Sequence, residues 1–169
     1  DLYPNLKAFQ DIRATTDVDY DGRSIDATAP PPDLTGFRTL FTGFHHFRPQ
    51  DARRILESAA DAGRGIAIFE FTERRPLAFM VMLPVPLIVF FTVPFIRPFR
   101  WSRIFWTYPI PVLPFVAMWD GLVSCARSYT VAELQSMTAS LDGYTWDIGT
   151  LPAAQGPGRI TYLIGVPRS

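Results

Sequence analysis

GFRTLFTGFHHFRPQDARRILESAADAGRGIAIFEFTE, residues 36–73, has the pattern of a strand, a loop, a helix and a second strand. The first apolar run, residues 38–44, is bounded by glycines, which favours a buried strand that ends at Gly43. Pro49 fits a first helical position, and the apolar residues after it recur at the spacing of one buried helix face. Glycines end this helix before a second apolar run, residues 65–71. A connection of this length predicts a crossover between two parallel strands.

The loop between the first strand and the helix contains His45 and His46, the only two histidines of the chain. In open α/β sheets, ligands bind beyond the carboxyl ends of the strands, which is where this loop lies. The pattern therefore locates a functional site more readily than it identifies a reaction.

Composition limits the classes of protein to consider. The chain has 169 residues, of which 48% are apolar, and a formal net charge of zero, which predicts one globular domain. Arginines do not form one basic stripe, so nucleic acid is not an expected partner. The lone Cys125 excludes an intramolecular disulfide and a multi-cysteine metal site, agrees with a cytoplasmic location, and is expected to be a small buried residue. No signal peptide is visible, and the start of the chain on a helix-like pattern predicts a fragment.

Outside residues 36–73, three further elements are expected. Residues 24–27 are a weak strand candidate before a proline-rich loop. Thr130 and Glu133 form the pattern of a capping box at the start of a helix. Apolar residues then alternate in residues 144–149 and again in residues 160–164, and the short connection between these runs predicts an antiparallel hairpin.

The order of these features resembles the C-terminal two-thirds of a class I S-adenosylmethionine-dependent methyltransferase. That family has a seven-stranded sheet whose last strand is antiparallel to the others, with cofactor contacts at the ends of the first four strands. The likeness covers nearly the whole chain, from the initial acidic residue through TGFHHF, PQDARRIL and Glu70 to the terminal hairpin. It implies a single, N-terminally incomplete α/β domain with a Rossmann-like sheet, mostly parallel with a C-terminal antiparallel hairpin. The family's first strand and helix are lacking in this chain.

The resemblance implies S-adenosylmethionine as cofactor and assigns residues to it, which are Asp1, Asp26, Ala27, Thr42, Gly43 and Phe44. Asp1 matches the carboxylate that binds the ribose hydroxyls, and Asp26 with Ala27 matches the pair beside the adenine. Thr42, Gly43 and Phe44 lie where the fourth strand passes the methionine part. Each assignment has an alternative, since Asp1 can begin a helix, Asp26 can serve a turn, and Phe44 can belong to the core.

The family's glycine-rich turn after the first strand is absent, because no GxGxG or GxGxxG occurs in the sequence. The chain is therefore either a piece of a longer enzyme or a domain that binds the cofactor poorly. No GxSxG nucleophile elbow occurs either, which argues against a serine hydrolase.

His45 and His46 are the candidate catalytic bases. A methyl transfer requires alignment of the nucleophile and, for an alcohol or amine, removal of its proton, which a neutral histidine can accept. Two adjacent histidines can point in different directions, one to an inner partner and one into a cleft. The alternative is that one bonds backbone or caps the helix while the other is solvated. Glu70 could come near them, but two histidines without spaced further ligands do not predict a metal site.

An apolar insertion, residues 76–119, is the remaining feature. Residues 77–96 contain no charge, and a second apolar stretch, residues 104–119, follows the arginine-containing RPFRWSR. Length alone makes 77–96 a transmembrane candidate, whereas its three prolines and the arginines on the far side of a spanning hairpin argue against a full span. The expected roles are a helical lid or a membrane-associated segment, with a core or dimer interface as the alternative.

Together these features predict methyl transfer from S-adenosylmethionine to an apolar or membrane-resident small molecule, by part of a longer chain. The alternative is a non-catalytic membrane-associated or dimerisation module with a methyltransferase-like sheet. The expected location is the cytoplasm, free or at a membrane surface, and the sequence leaves a homo-oligomer open.

Overall fold

The computed structural model describes residues 2–154 and 158–168. The helices are α1 (Leu6–Thr15), α2 (Pro49–Asp61), α3 (Pro76–Met82), α4 (Val85–Thr92), α5 (Trp101–Phe105), α6 (Val112–Arg127) and α7 (Val131–Thr138). The strands are β1 (Arg38–Phe41), β2 (Ile66–Glu70), β3 (Tyr144–Pro152) and β4 (Arg159–Pro167). Two 3₁₀ turns cover Phe44–His46 and Val93–Phe95. The chain is thus a mixed α and β protein, as predicted.

The β1–α2–β2 unit confirms the interpretation of residues 36–73. β1 and β2 pair in parallel, from Arg38 opposite Ile66 to Phe41 opposite Phe69. Helix α2 begins at Pro49, as the sequence indicates. β1 is shorter than expected because Thr42 adopts a positive φ of 49°, which turns the chain out of the strand before the 3₁₀ turn.

The four strands form one open sheet in the order β1-β2-β4-β3. The predicted C-terminal hairpin is confirmed, since β3 and β4 pair antiparallel from Tyr144 opposite Pro167 to Pro152 opposite Arg159. The expectation of a mostly parallel sheet holds in part, because β1, β2 and β3 share one direction while the sheet as a whole is mixed. β4 returns between β2 and β3 and is antiparallel to both, so β1–β2 is the one parallel pair in the described sheet.

Residues 24–27 do not form the expected strand. The Ser24 hydroxyl donates to the Leu2 carbonyl, at 2.6 Å, and Asp26 closes a turn with Thr28. A strand requires a ladder partner, and in the described part of the chain these residues are not included in the sheet. Local side-chain bonds to the backbone take the place of a ladder here.

The hydrophobic core lies between the sheet and helices α2 and α7. Its buried members are Phe44, Ala52, Ile55, Leu56, Ala59, Ile66, Ile68, Tyr129, Leu134 and Leu163. Burial of each large aliphatic side chain contributes about 1.5–3 kcal/mol. The capping box of α7 is present as predicted, with Thr130 and Glu133 bonding each other's backbone N–H groups. Cys125 is also buried, as expected.

The apolar insertion folds into helices α3 to α5 and the first half of α6, and α3 and α4 pack against α6. At one contact a Cβ on Gly121 would lie 2.6 Å from Met82 Sδ, so a larger residue at this position would require the Met82 side chain to shift. One helical stretch in the described residues, Pro76–Phe95, is apolar and long enough to cross a bilayer, with mean hydropathy 2.3 and 6% of it buried. Composition and length are the only grounds for that statement.

Candidate functional site

A buried histidine and a buried glutamate meet where β1 and β2 end. His45 Nδ1 lies 2.6 Å from Glu70 Oε2, and these residues are 3% and 5% exposed. Glu70 is the last residue of β2, while His45 lies in the 3₁₀ turn after β1. The parallel pairing of β1 and β2 therefore brings together two residues that are 25 positions apart in sequence.

The same carboxylate holds the backbone of the histidine turn. Glu70 Oε1 accepts the N–H of Phe44 at 2.5 Å and that of His45 at 3.4 Å. A buried carboxylate is costly unless its oxygens are bonded, and bonds to a charged acceptor are shorter and stronger than neutral ones. Glu70 thus fixes both the turn and the orientation of the His45 ring.

A second layer of polar contacts surrounds this pair. The Ser128 hydroxyl donates to Thr72 Oγ1 at 2.7 Å, and the Thr72 hydroxyl in turn lies 3.5 Å from Glu70 Oε2. Both groups are at least partly buried. They place the glutamate at the end of a short chain of hydroxyl groups that leads to the residue after α6.

Arg127, at the end of α6, binds the histidine turn from the other side. Its Nε donates to the His45 carbonyl at 3.1 Å, and its Nη2 donates to the His46 carbonyl at 2.7 Å. A planar guanidinium can form this fork, which a lysine cannot reproduce. Nothing in the local sequence around Arg127 indicates this role. The arginine connects the apolar helices to the site.

The two histidines differ in burial. His45 is buried against Glu70, whereas His46 is exposed and lines a cleft. Their rings lie side by side, with centroids 4.2 Å apart. Only His46 can reach a molecule in the cleft, so the base role predicted for His45 becomes a positioning role in this geometry.

The cleft lies along the open edge of β1 and has a volume of about 990 Å³. Of the predicted cofactor residues, Asp26, Ala27 and Gly43 line it, together with His46. Its other walls come from the first residues of the chain, the loop before β1, β1 itself and α2, namely Leu2, Tyr3, Ile25, Pro30, Arg38, Thr39, Leu40, Phe41, Phe47 and Ile55. Small-molecule sites have this size and this mixture of apolar walls with a few polar groups.

Two predicted cofactor residues, Phe44 and Thr42, do not line this cleft. Phe44 is 1% exposed and packs its ring against Tyr129, at a centroid distance of 5.5 Å, which is the core alternative. Thr42 is exposed but absent from the cleft wall. Asp1 lies outside the described residues.

Asp26 serves a turn and faces the cleft at the same time. Its Oδ1 accepts the N–H and the hydroxyl of Thr28, both at 2.8 Å. These bonds, the backbone one first, hold the pKa of the Asp26 carboxyl below its usual value. The carboxylate is therefore ionised at neutral pH. Burial lowers the pKa of Arg38, which forms another wall of the same cleft.

A metal centre has no support in the described residues. No group of three or more His, Cys, Asp or Glu side chains in 2–154 and 158–168 is arranged to hold an ion. Glu70 does approach the histidines, as the sequence indicated, but it serves there as a hydrogen-bond acceptor for His45 and its turn.

Comparisons of the chain with protein-family models, with curated proteins and with solved structures give no match. The residues of the cleft and of the histidine turn are therefore the basis for inferring a function.

Proposed function

We propose that this chain is the C-terminal part of an S-adenosylmethionine-dependent methyltransferase domain that acts on an apolar or membrane-resident small molecule. The observation that carries the proposal is the cleft beside β1. It gathers Asp26, Ala27 and Gly43, which the resemblance assigns to the cofactor, and adds His46 as a candidate base.

The sheet supports the same proposal at the level of topology. In the family's sheet the last strand is antiparallel to the others, and here β4 is antiparallel to both of its neighbours. The proposal equates β1 and β2 with the fourth and fifth strands of a Rossmann-like sheet.

The cleft fits a nucleoside-sized cofactor by size and chemistry. Its volume of about 990 Å³ lies within the range of small-molecule sites. The ionised Asp26 can accept hydrogen bonds from an exocyclic amine, and Gly43 lets a ligand approach the backbone without a side chain between them. When bound, S-adenosylmethionine would supply a methyl group on a sulfonium centre, which needs no activation by a metal.

In this proposal the protein aligns the acceptor and removes its proton. His46 accepts the proton from an acceptor hydroxyl or amine as that atom forms its bond to the methyl carbon. With the cofactor bound, the electron pair of the broken methyl carbon–sulfur bond would remain on its sulfur. His45 and Glu70 hold the turn that carries His46, so they act as positioning residues. Glu70 bonds the backbone of the turn and the His45 ring, and in this proposal neither residue touches the acceptor.

The apolar acceptor follows from the position of the insertion. Arg127 ties the end of α6 to the carbonyls of His45 and His46. The helices that expose apolar side chains are therefore adjacent to the turn that holds the candidate base. None of the described residues that line the cleft comes from 76–119, so a lid over the cleft stays a prediction.

Calorimetric titration with S-adenosylhomocysteine tests the cofactor site, in the 169-residue chain and in the full translation product of its gene. Micromolar binding by the full product supports the proposal. Asp26→Asn keeps the turn acceptor but removes the charge, so we expect about a tenfold weaker affinity, the scale of one charged hydrogen bond. Asp142→Asn, an exposed carboxylate outside the cleft, is the matched control and should bind normally. Failure of the full product to bind contradicts the proposal.

A non-catalytic membrane-associated module is the second candidate. The observation that favours it is the exposure of Pro76–Phe95, which is 6% buried although strongly apolar. Lipid binding by the full product without any binding of S-adenosylhomocysteine would replace the first proposal with this one.

A further inference from the structure

Five large aromatic side chains project from the helical insertion into solvent. They are Phe91, Phe95, Trp101, Phe115 and Trp119, which we call the aromatic surface, and they are 75%, 79%, 77%, 54% and 67% exposed. A concentration of exposed large apolar side chains indicates a binding site for a membrane, an apolar ligand or another protein. The core residues of the sheet domain are nearly fully buried, so a lack of burial in general does not explain the exposure.

The aromatic surface is not the outer side of an ordinary amphipathic helix. Helix α4 packs one side against α6, yet its outward positions Leu87, Ile88 and Phe91 are apolar as well. A soluble helix places polar residues there. A shallow apolar groove of about 520 Å³, formed by residues 110–119 of α6 and the turn before it, extends the same surface.

Charge distinguishes between the possible partners. Between Glu73 and Asp120 the sequence contains five arginines and no acidic residue. Arg97 and Arg100 are exposed in the turn between α4 and α5, beside Trp101. A second copy of the chain would place like charges against each other in a two-fold interface. An anionic bilayer, in contrast, offers both an apolar interior and negative headgroups.

Breaks in the apolar stretch limit how deeply these helices can enter a bilayer. A straight helix of 20 residues would be about 30 Å long, but Leu83 and Pro84 separate α3 from α4. Asp120 is exposed beside Gly121, which contacts Met82 near that same break. If these helices spanned a bilayer, the Asp120 charge would lie in the hydrocarbon near this break, where a charge is costly. Trp101, Arg97 and Arg100 instead suit the boundary between headgroups and acyl chains.

We propose that the aromatic surface docks on the face of an anionic phospholipid bilayer, with the arginines of the α4–α5 turn at the headgroups and no full span. This inference goes beyond methyl transfer, because it requires neither cofactor binding nor turnover.

Vesicle partitioning of the full 169-residue chain tests the proposal. Three of the four tryptophans lie in the insertion, and the Trp146→Phe variant removes the fourth, so the remaining emission reports on this region. We expect a blue shift and binding to vesicles of phosphatidylglycerol with phosphatidylcholine, and much weaker binding to phosphatidylcholine alone. Binding should also weaken as salt concentration rises.

Two variants separate the apolar and the charged contributions. Phe95→Asp with Trp101→Asp should lower the partition coefficient by at least about tenfold on both kinds of vesicle. Arg97→Gln with Arg100→Gln should lower it about 25-fold on anionic vesicles, about fivefold for each arginine, and leave neutral vesicles unaffected. The matched controls are Val18→Asp with Leu151→Asp and Arg159→Gln with Arg168→Gln, all at exposed positions outside the insertion. Circular dichroism verifies that every variant is folded.

Three results would overturn the proposal. One is equal partitioning of the parent chain into anionic and neutral vesicles, or into neither. Another is a dimer in solution, seen by analytical ultracentrifugation, that Phe95→Asp with Trp101→Asp dissociates, since the occupant would then be a second copy. The third is quenching by lipids brominated at the bilayer centre only, measured in a Trp106→Phe, Trp119→Phe, Trp146→Phe variant that retains Trp101, which would indicate a span. The cofactor titration is a separate measurement, so failure of either proposal can be recognised independently.

Discussion

The crossover unit, residues 36–73, and the apolar insertion, residues 76–119, are both rich in apolar residues but use them in opposite ways. In the crossover unit, Ile55, Leu56, Ile66 and Ile68 are at most 2% exposed. In the insertion most large apolar residues are exposed, and 6% of the stretch Pro76–Phe95 is buried. Composition alone therefore does not say where a side chain lies. The spacing of apolar residues along the chain does, because a helix with a polar side has a face to bury and one without it does not.

The largest expected effect is in the crossover unit, at the carboxylate that joins its two strand ends. Glu70→Ala leaves the Phe44 N–H and the His45 ring without their acceptor, and we expect a loss of about 3–5 kcal/mol in the free energy of unfolding. Glu70→Gln retains one acceptor oxygen and should lose less. Urea denaturation followed by circular dichroism measures both. A loss no greater than that of the surface variant Glu57→Ala would argue against the role of Glu70.

Two isoleucines, one in each region, allow a direct comparison of how much a side chain contributes to stability. Ile55 is 2% exposed in α2, and Ile88 is 54% exposed in α4. Ile55→Ala should therefore cost about 2–5 kcal/mol in the free energy of unfolding, whereas Ile88→Ala should change it by less than about 0.5 kcal/mol. The same denaturation experiment in aqueous buffer gives both values. Similar losses at the two sites would mean that the insertion has a core of its own.

Arg127 links the two regions, and its removal should loosen the histidine turn. Arg127→Ala deletes the donors to the His45 and His46 carbonyls, and we expect about 1 kcal/mol less local stability. The N–H groups of His46 and Phe47, which bond Gly43 and Phe44 across the turn, should then exchange with solvent about fivefold faster. Arg127→Lys should give an intermediate rate, because lysine cannot form the two-carbonyl fork. Unchanged exchange in both variants would mean that Arg127 does not stabilise the histidine turn.

The smallest effect concerns acid stability at the start of α7. The backbone N–H of Thr130 is the main reason why the pKa of Glu133 lies below its ordinary value of 4.5. Stability from Glu133 is therefore fully present above pH 4.5 and is lost as pH falls from there through the lowered pKa. Glu133→Gln should remove this pH dependence and cost about 0.5 kcal/mol at neutral pH, a small value because the side chain is partly exposed. Equal acid profiles of parent and variant would contradict this.

Local signals predicted much of the fold. Pro49 at a helix start, the box of Thr130 and Glu133, and the alternation in the C-terminal hairpin are statements about neighbouring residues, and all three hold. The order of strands was harder. The position of β4 between β2 and β3 depends on long-range pairing, so the sheet is mixed rather than mostly parallel. Residues 24–27 failed as a strand for the same reason, because alternation cannot supply a ladder partner.

The site was predicted in part. The sequence indicated His45, His46 and the approach of Glu70, since residues at the ends of adjacent parallel strands meet. It could not show which histidine is buried, because the positive φ at Thr42 sets the direction of the turn. Arg127 was missed as a site residue. Its bonds are to backbone carbonyls more than 80 positions away, and such bonds leave no mark in the local sequence.

The two histidines allow the central claim to be tested in one spectrum. The full translation product of the gene is labelled with ¹⁵N-histidine, and the ring signals of His45 and His46 are assigned by their loss in the His45→Gln and His46→Gln variants. S-adenosylhomocysteine is then titrated into the labelled protein. The account predicts that the ring signals of His46, which lines the cleft, shift with saturation, while those of His45, held by Glu70, shift much less. The absence of any shift at either histidine with saturating ligand would contradict the account.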